Sequence, residues 1–306
     1  MRIRIFCLIF GICLAYQGMA QQEVMFTQYM FNGLALNPAY AGSHESVSLT
    51  LLARDQWSGI DGAPNTQTFS IHSPINKKNI GLGLQVIRDK ISVFNQIGVN
   101  ASYAYRIPTE KGKLSLGLQA GFTSYQADFT QLSTDQGGSQ VFGANVSKFL
   151  PNFGAGVYYY SKKYYLGFSI PQLISNGLNE SVVGVDSDAR QRRHYFLTGG
   201  YVFELNRNVK FKPNLLLKAV AGAPIELDVN GSFLFNDVLW LGLSWRSFAD
   251  IDALLEVQLT PELLLGYSYD FANTTDLRRV NSGSHELMLN YRLRYTRRTM
   301  LSPRYF

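Results

Sequence analysis

Ile97-Gly98-Val99-Asn100-Ala101-Ser102-Tyr103-Ala104-Tyr105 sorts its residues into two sets with a period of two. Ile97, Val99, Ala101, Tyr103 and Tyr105 share one face, and Gly98, Asn100, Ser102 and Ala104 share the other. Only a β-strand separates alternate residues in this way. The same alternation recurs in segment after segment along the 306 residues, with no helical layer between them. A soluble sandwich would bury its apolar face and wet the other. About fourteen such strands with few charges predict instead an antiparallel barrel whose apolar face meets lipid.

Composition agrees. Charged residues make up 16% of the chain, well below the roughly 25% of a soluble domain, whereas 18 Tyr and 20 Phe suit a membrane boundary. The net charge of +6 falls to +4 if Arg2 and Arg4 are removed with a leader. That surplus is too small and too scattered to predict a nucleic-acid partner.

Residues 1–20 read as a cleavable signal peptide: Arg2 and Arg4 form the charged start, 5–16 the apolar core, and Gly18-Met19-Ala20 the small-residue cleavage site. The apolar core is too short for a spanning helix, which needs about 20 residues. Both cysteines, Cys7 and Cys13, lie within the leader. A mature chain starting at Gln21 therefore has no disulfide, thiol nucleophile or cysteine metal site. The uncharged stretch 24–44 contains Gln28, Asn32, Asn37 and Pro38 and is no transmembrane helix. A closed barrel is then the one spanning structure left, because every backbone group must be paired inside the bilayer.

The expected strands are 46–57, 65–73, 79–88, 92–107, 113–126, 152–160, 164–170, 194–205, 209–220, 224–235, 238–247, 251–259, 262–271 and 284–295. Connections after even-numbered strands are brief, whereas 127–151, 171–193 and 272–283 are long. Outer-membrane barrels show this asymmetry, with short periplasmic turns and longer external loops. The expectation is a protein of the cell outer membrane with both termini periplasmic. On the faces, Leu116, Leu118 and Phe122 should meet lipid and Ser115, Gly117 and Gln119 the lumen. The pairs Gly81 with Gly83 and Gly154 with Gly156 precede no helix, so they read as small residues that allow close packing rather than as a phosphate loop. The chain divides into a leader (1–20), an N-terminal segment of plug or docking type (21–45) and the barrel (46–306).

Signs of catalysis are sparse. His44, His72, His194 and His285 are far apart and show no metal-ligand spacing, so neither metal nor cofactor is expected and the chain does not read as an enzyme. A surface serine–histidine lipid hydrolase is the rival enzymatic reading. Asp186 and Asp188, ahead of Arg190, Arg192 and Arg193, form either a solvated loop or a site for calcium or for lipopolysaccharide phosphates. Arg292, Arg294, Arg297, Arg298 and Arg304 make a basic C-terminal end that marks the water boundary or touches an acidic partner.

The segment before the first strand is the most specific. Phe26-Thr27-Gln28-Tyr29-Met30-Phe31-Asn32 is followed by Leu36-Asn37-Pro38-Ala39-Tyr40-Ala41-Gly42, and then by Arg54-Asp55-Gln56-Trp57-Ser58-Gly59 and Ser70-Ile71-His72-Ser73-Pro74. Physically, Asn37-Pro38 enforces an extended approach to a turn, Gly42 permits a tight bend, and the aromatic rings need somewhere to bury. These residues resemble the N-terminal signature of the PorP/SprF family of type IX secretion system membrane proteins of Bacteroidetes, and the strand pattern extends the resemblance over the chain. The resemblance implies a non-enzymatic outer-membrane barrel that binds secretion machinery, or secreted cargo with a C-terminal sorting domain such as the adhesins of gliding motility. Outer-membrane lipid and lipopolysaccharide would surround it. Candidate partner-binding residues are Gln28, Tyr29, Asn32, Asn37, Pro38, Tyr40, Gly42, Arg54, Gln56 and Trp57. A passive porin or small-solute channel is the alternative.

Overall fold

The computed structural model describes residues 24–75, 79–128, 146–177, 190–247, 250–272 and 281–293. The leader, Asp186, Asp188, Arg294, Arg297, Arg298 and Arg304 lie outside them. Among the described residues fifteen strands occur in chain order: β1 (Val47–Asp55), β2 (Asn65–Pro74), β3 (Ile80–Ile91), β4 (Phe94–Pro108), β5 (Gly112–Ala127), β6 (Val146–Ser161), β7 (Tyr164–Ile170) and β8 (His194–Tyr201) form the first part. The rest are β9 (Phe203–Glu204), β10 (Val209–Val220), β11 (Glu226–Phe235), β12 (Leu239–Arg246), β13 (Asp250–Gln258), β14 (Leu263–Ala272) and β15 (Ser284–Leu293). Each stave pairs antiparallel with its sequence neighbour, β15 pairs with β1, and β8 and β9 lie end to end along β10. The result is a closed barrel of fourteen staves with one short extra strand, as the alternation predicts. Closure gives every stave a partner on both sides, although β6 outruns β7: its ladder to β5 begins at Val146 and that to β7 only at Ala155.

Most boundaries shift by three residues or fewer, so that Gln56 and Trp57 fall beyond β1, and two differ more deeply. The stretch 146–151, expected within the long connection 127–151, instead continues the β5–β6 ladder from Phe122↔Pro151 to Ala127↔Val146. The expected strand 194–205 is interrupted at Val202, whose N–H donates to the Lys163 carbonyl at 2.7 Å. Alternation survives the break, since Val202 is buried and Tyr201 and Phe203 are exposed.

The faces follow the sequence. On β4, Ile97, Tyr103 and Tyr105 point outward while Ser102, Ala104 and Arg106 are buried. On β5, Leu116, Leu118 and Phe122 are outward and Ser115 and Gln119 inward. Arg placed at Leu118, which is 63% exposed, should therefore weaken folding into a bilayer by about 2–4 kcal/mol near the midplane. Unfolding of the variant in lipid vesicles measures this, and a loss below about 0.5 kcal/mol would show that Leu118 does not meet hydrocarbon.

Short turns gather at one end of the barrel. Asn236 and Asp237, between β11 and β12, both have positive φ, at 50° and 56°, the requirement of a tight hairpin turn. At this short-turn end a line of outward rings crosses six strands: Tyr159, Tyr164, Tyr201, Phe203, Phe211 and Phe233 pass from one to the next at centroid separations of 4.5–6.3 Å. Such a girdle marks a membrane–water boundary. β1 starts and β15 finishes at this end, where Val47 faces Leu293.

The N-terminal segment fills the lumen. It comprises a 3-10 turn (Tyr29–Phe31), one helical turn (Gly33–Leu36) and a second 3-10 turn (Pro38–Tyr40). Phe26, Tyr29, Leu34, Ala39, Tyr40 and Ala41 are all buried, packed with inward residues such as Tyr158, Phe196, Leu216 and Trp240. Each large apolar side chain so buried stabilises by about 1.5–3 kcal/mol. The segment runs lengthwise: Thr27 bonds to β14 and β15 near their long-loop ends, whereas Gly42 lies against Pro74 and Gly81 at the short-turn end.

Candidate functional site

The site is the contact between this plug and the inner wall. At its short-turn end, Asn37 is extended (φ −142°, ψ 115°), as a residue before proline tends to be. Pro38 then opens a 3-10 turn, and the Asn37 side chain caps it by accepting from the Ala39 N–H at 2.9 Å. The Asn37 amide also donates to the Val157 carbonyl at 3.0 Å and the Phe168 carbonyl at 3.4 Å. That reach exists because Gly156 and Gly167 beside it have no side chains. Gly117 similarly gives room to the Ala39 backbone and Gly81 to Ala41, so of the two glycine pairs Gly81, Gly83 and Gly156 admit the plug, whereas Gly154 lies against Pro171.

Tyr40 sits among three rings: His44, His72 and Tyr158 have centroids 5.5, 5.4 and 5.3 Å away. Its hydroxyl is 2.9 Å from His44 Nε2. Burial pushes the Tyr40 phenol up to about 12 and raises that of Tyr29 as well, so both rings stay neutral in the plug. Gly42 has a φ of 73°, which favours glycine. Its N–H donates to His72 Nδ1 at 3.1 Å and its carbonyl accepts from Arg106 Nη1 at 2.6 Å.

The other end of the plug is held by charge. Arg54 donates to Asp270 at 2.5 Å and to Glu286 at 3.2 Å, and all three side chains are no more than 3% exposed. The plug completes this cluster: the backbone N–H groups of Thr27 and Gln28 donate to Glu286 at 2.9 and 2.8 Å, and the Thr27 hydroxyl donates to Asp270 at 2.9 Å. Charge-assisted bonds of this type are the stronger ones. Nearby, Arg246 pairs with Asp228 at 3.0 Å. Lower in the lumen the Lys212 ammonium lies 5.4 Å from the Phe31 ring centroid and 5.8 Å from that of Trp240, within cation–π range.

Of the candidate residues, Gln28, Tyr29, Asn32, Asn37, Pro38, Tyr40 and Gly42 are brought together inside the lumen, and Arg54 faces them from β1. Gln56 and Trp57 are not part of that group. They begin the β1–β2 loop, where the Gln56 N–H bonds to the Pro64 carbonyl and the Trp57 N–H to Ser284 Oγ. Sequence reasoning missed Asp270, Glu286, Asp228 and Arg246. Each stands on the inward parity of its strand, as Asp270 does on β14 beside the outward Phe271, so alternation alone marks it as facing the lumen. Among the described residues no group of three or more His, Cys, Asp or Glu is disposed to hold a metal.

The monoaromatic hydrocarbon channel CymD is similar at 11% identity with a TM-score of 0.50, covering 88% of this chain and 94% of that one. The Acinetobacter baumannii outer membrane protein Omp33 has 9% identity and a TM-score of 0.48, over 81% of this chain and 98% of its own. A Pseudomonas aeruginosa FadL homologue has 15% identity and a TM-score of 0.45, over 86% and 93%. At 11% identity the likeness to CymD concerns the barrel fold alone. No curated protein matches. The family described as type IX secretion system membrane protein PorP/SprF matches residues 18–291, which include the plug and all but the end of the barrel. The chain belongs to the PorP/SprF family of type IX secretion system membrane proteins.

Proposed function

We propose that this outer-membrane barrel serves type IX secretion as a rigid binding scaffold, presenting its long loops to secreted cargo and its short-turn end to the periplasmic machinery. The observation that carries the reading is the plug: the segment most characteristic of the family spans the lumen and is bonded to the wall at both ends. A lumen filled in this way suits docking better than conduction. The cargo would be large proteins with a C-terminal sorting domain, such as adhesins of gliding motility. In this reading the long-loop end faces outward and the end of β15 faces the periplasm. The plug then begins near the outer mouth rather than beside the C terminus. Its buried residues act by bracing the barrel, and Gln56 and Trp57 are the candidates left at a mouth.

The test is a strain lacking the gene and its paralogues, complemented with wild-type protein or with a variant carrying Gln56→Ala and Trp57→Ala. Loss of surface cargo in the null strain, restored by the wild type, is expected. The double variant should reach normal barrel abundance and display several-fold less cargo. Normal display in the null strain would overturn the secretion role. A large conductance of the purified barrel in planar bilayers, independent of any partner, would favour the channel instead.

A further inference from the structure

The outer wall of the barrel is not convex all round. Across β13, β14, β15, β1, β2 and β3 it dips into an apolar trough of about 720 Å³ on the face away from the lumen. One register row forms its lower side, with Val257, Leu265, Leu289, Leu51, Phe69 and Val86 facing one another across successive ladders. The row two residues nearer the long loops runs from Leu255 to Ala53, Gln67 and Arg88. Strands in a barrel are tilted, and the trough is therefore diagonal. Val257 is the penultimate residue of β13, whereas Val86 lies in the upper half of β3. Five interstrand steps of roughly 4.8 Å make it about 24 Å long.

One end of the trough carries positive charge. Arg88 and Lys90 both point outward from β3. Arg88 donates to Gln67 Oε1 at 3.1 Å, and Gln67 donates in turn to Asn65 Oδ1 at 2.6 Å. No described carboxylate lies within ion-pair distance of the Arg88 guanidinium. Asp55, on the same outer surface, accepts from Ser58 at 3.0 Å. A guanidinium with unused N–H groups matches a phosphate in geometry as well as charge. A lipid-facing groove that is cationic at the water boundary and apolar as it descends has the same polarity profile as a phosphorylated lipid.

We propose that this trough seats one lipopolysaccharide molecule of the outer leaflet, with a lipid A phosphate on Arg88 and an acyl chain lying along the row from Phe69 to Leu265. The assignment rests on the orientation given above, long loops outward, and not on the secretion role. Its test is native mass spectrometry of the full-length protein extracted from its own outer membrane in mild detergent. Wild-type barrel should retain about one lipopolysaccharide. Arg88→Glu, which reverses the charge, and Ala53→Trp, which fills the trough, should each lower that occupancy roughly tenfold, a difference of about 1.4 kcal/mol. Leu118→Trp, on the lipid face outside the trough, should leave it unchanged, and the heat-modifiable gel shift reports that every variant is folded. Equal retention by all four proteins would overturn the site. Retention of a glycerophospholipid in its place, lost with the same variants, would overturn the choice of lipid, and accessibility of the 56–64 loop on intact cells then shows whether the orientation is at fault.

Discussion

Arg54→Met should lower the unfolding free energy by about 3–5 kcal/mol, because it strands two buried carboxylates that the guanidinium now pairs. Asp270 and Glu286 are 1% and 0% exposed, and their nearest cation is Arg54. They also accept from Thr27 and Gln28, so the loss should reach the plug as well as the wall. Urea titration followed by the gel shift between folded and unfolded barrel measures the effect. Adding Asp270→Asn and Glu286→Gln to Arg54→Met should return more than half of the loss, since the uncompensated charge is then gone. A single variant as stable as the wild type would mean that the cluster does not hold the plug.

The second large effect is expected at Gly117. A Cβ there would meet the backbone of Pro38 and Ala39, and a main-chain neighbour cannot rotate away as a side chain can. Gly117→Leu should therefore exclude the short-turn half of the plug while sparing the ladder of β5. Overpacking typically costs about 1–3 kcal/mol, and the rigid neighbour puts this site at the upper end. Two readouts should change together: a protease should cleave within residues 33–42, and the barrel should conduct ions in a planar bilayer. Gly98→Ala is the matched control, because its added Cβ meets only ordinary contact, 3.4 Å from Thr123 Oγ1. If Gly117→Leu stays protected and closed, the lumen has slack that the packing does not show.

The barrel was legible because its signal is local and repeated. Alternation on β4 or β5 needs only a period of two, and a lipid-facing wall enforces it strand after strand. The departures at 146–151 and at Val202 were illegible for a matching reason. Pro151 and Lys148 look like loop residues, yet the ladder to β5 extends through them, and the break at Val202 falls where pairing along β10 passes from β8 to β9, a matter of partner strands. The candidate site was half legible. The aromatic, uncharged run around Tyr29 and Tyr40 showed that something must be buried, and Asn37-Pro38 and Gly42 foretold its turns.

What the sequence determined by itself was the staves, their inward and outward faces, and a family signature ahead of them. Those follow from nearest-neighbour rules that a strand imposes on its own residues. Where the signature goes was decided only by the closed barrel. Thr27 meets Glu286 across 259 positions, and Asn37 meets Val157 across 120. Such partners share no periodicity. They come together because closing fourteen staves brings β15 beside β1 and encloses a space that the N-terminal segment must either fill or leave to water. The outer trough has the same origin: its two rows are spread over six strands, and only the register and tilt of those strands align Arg88 with Leu255.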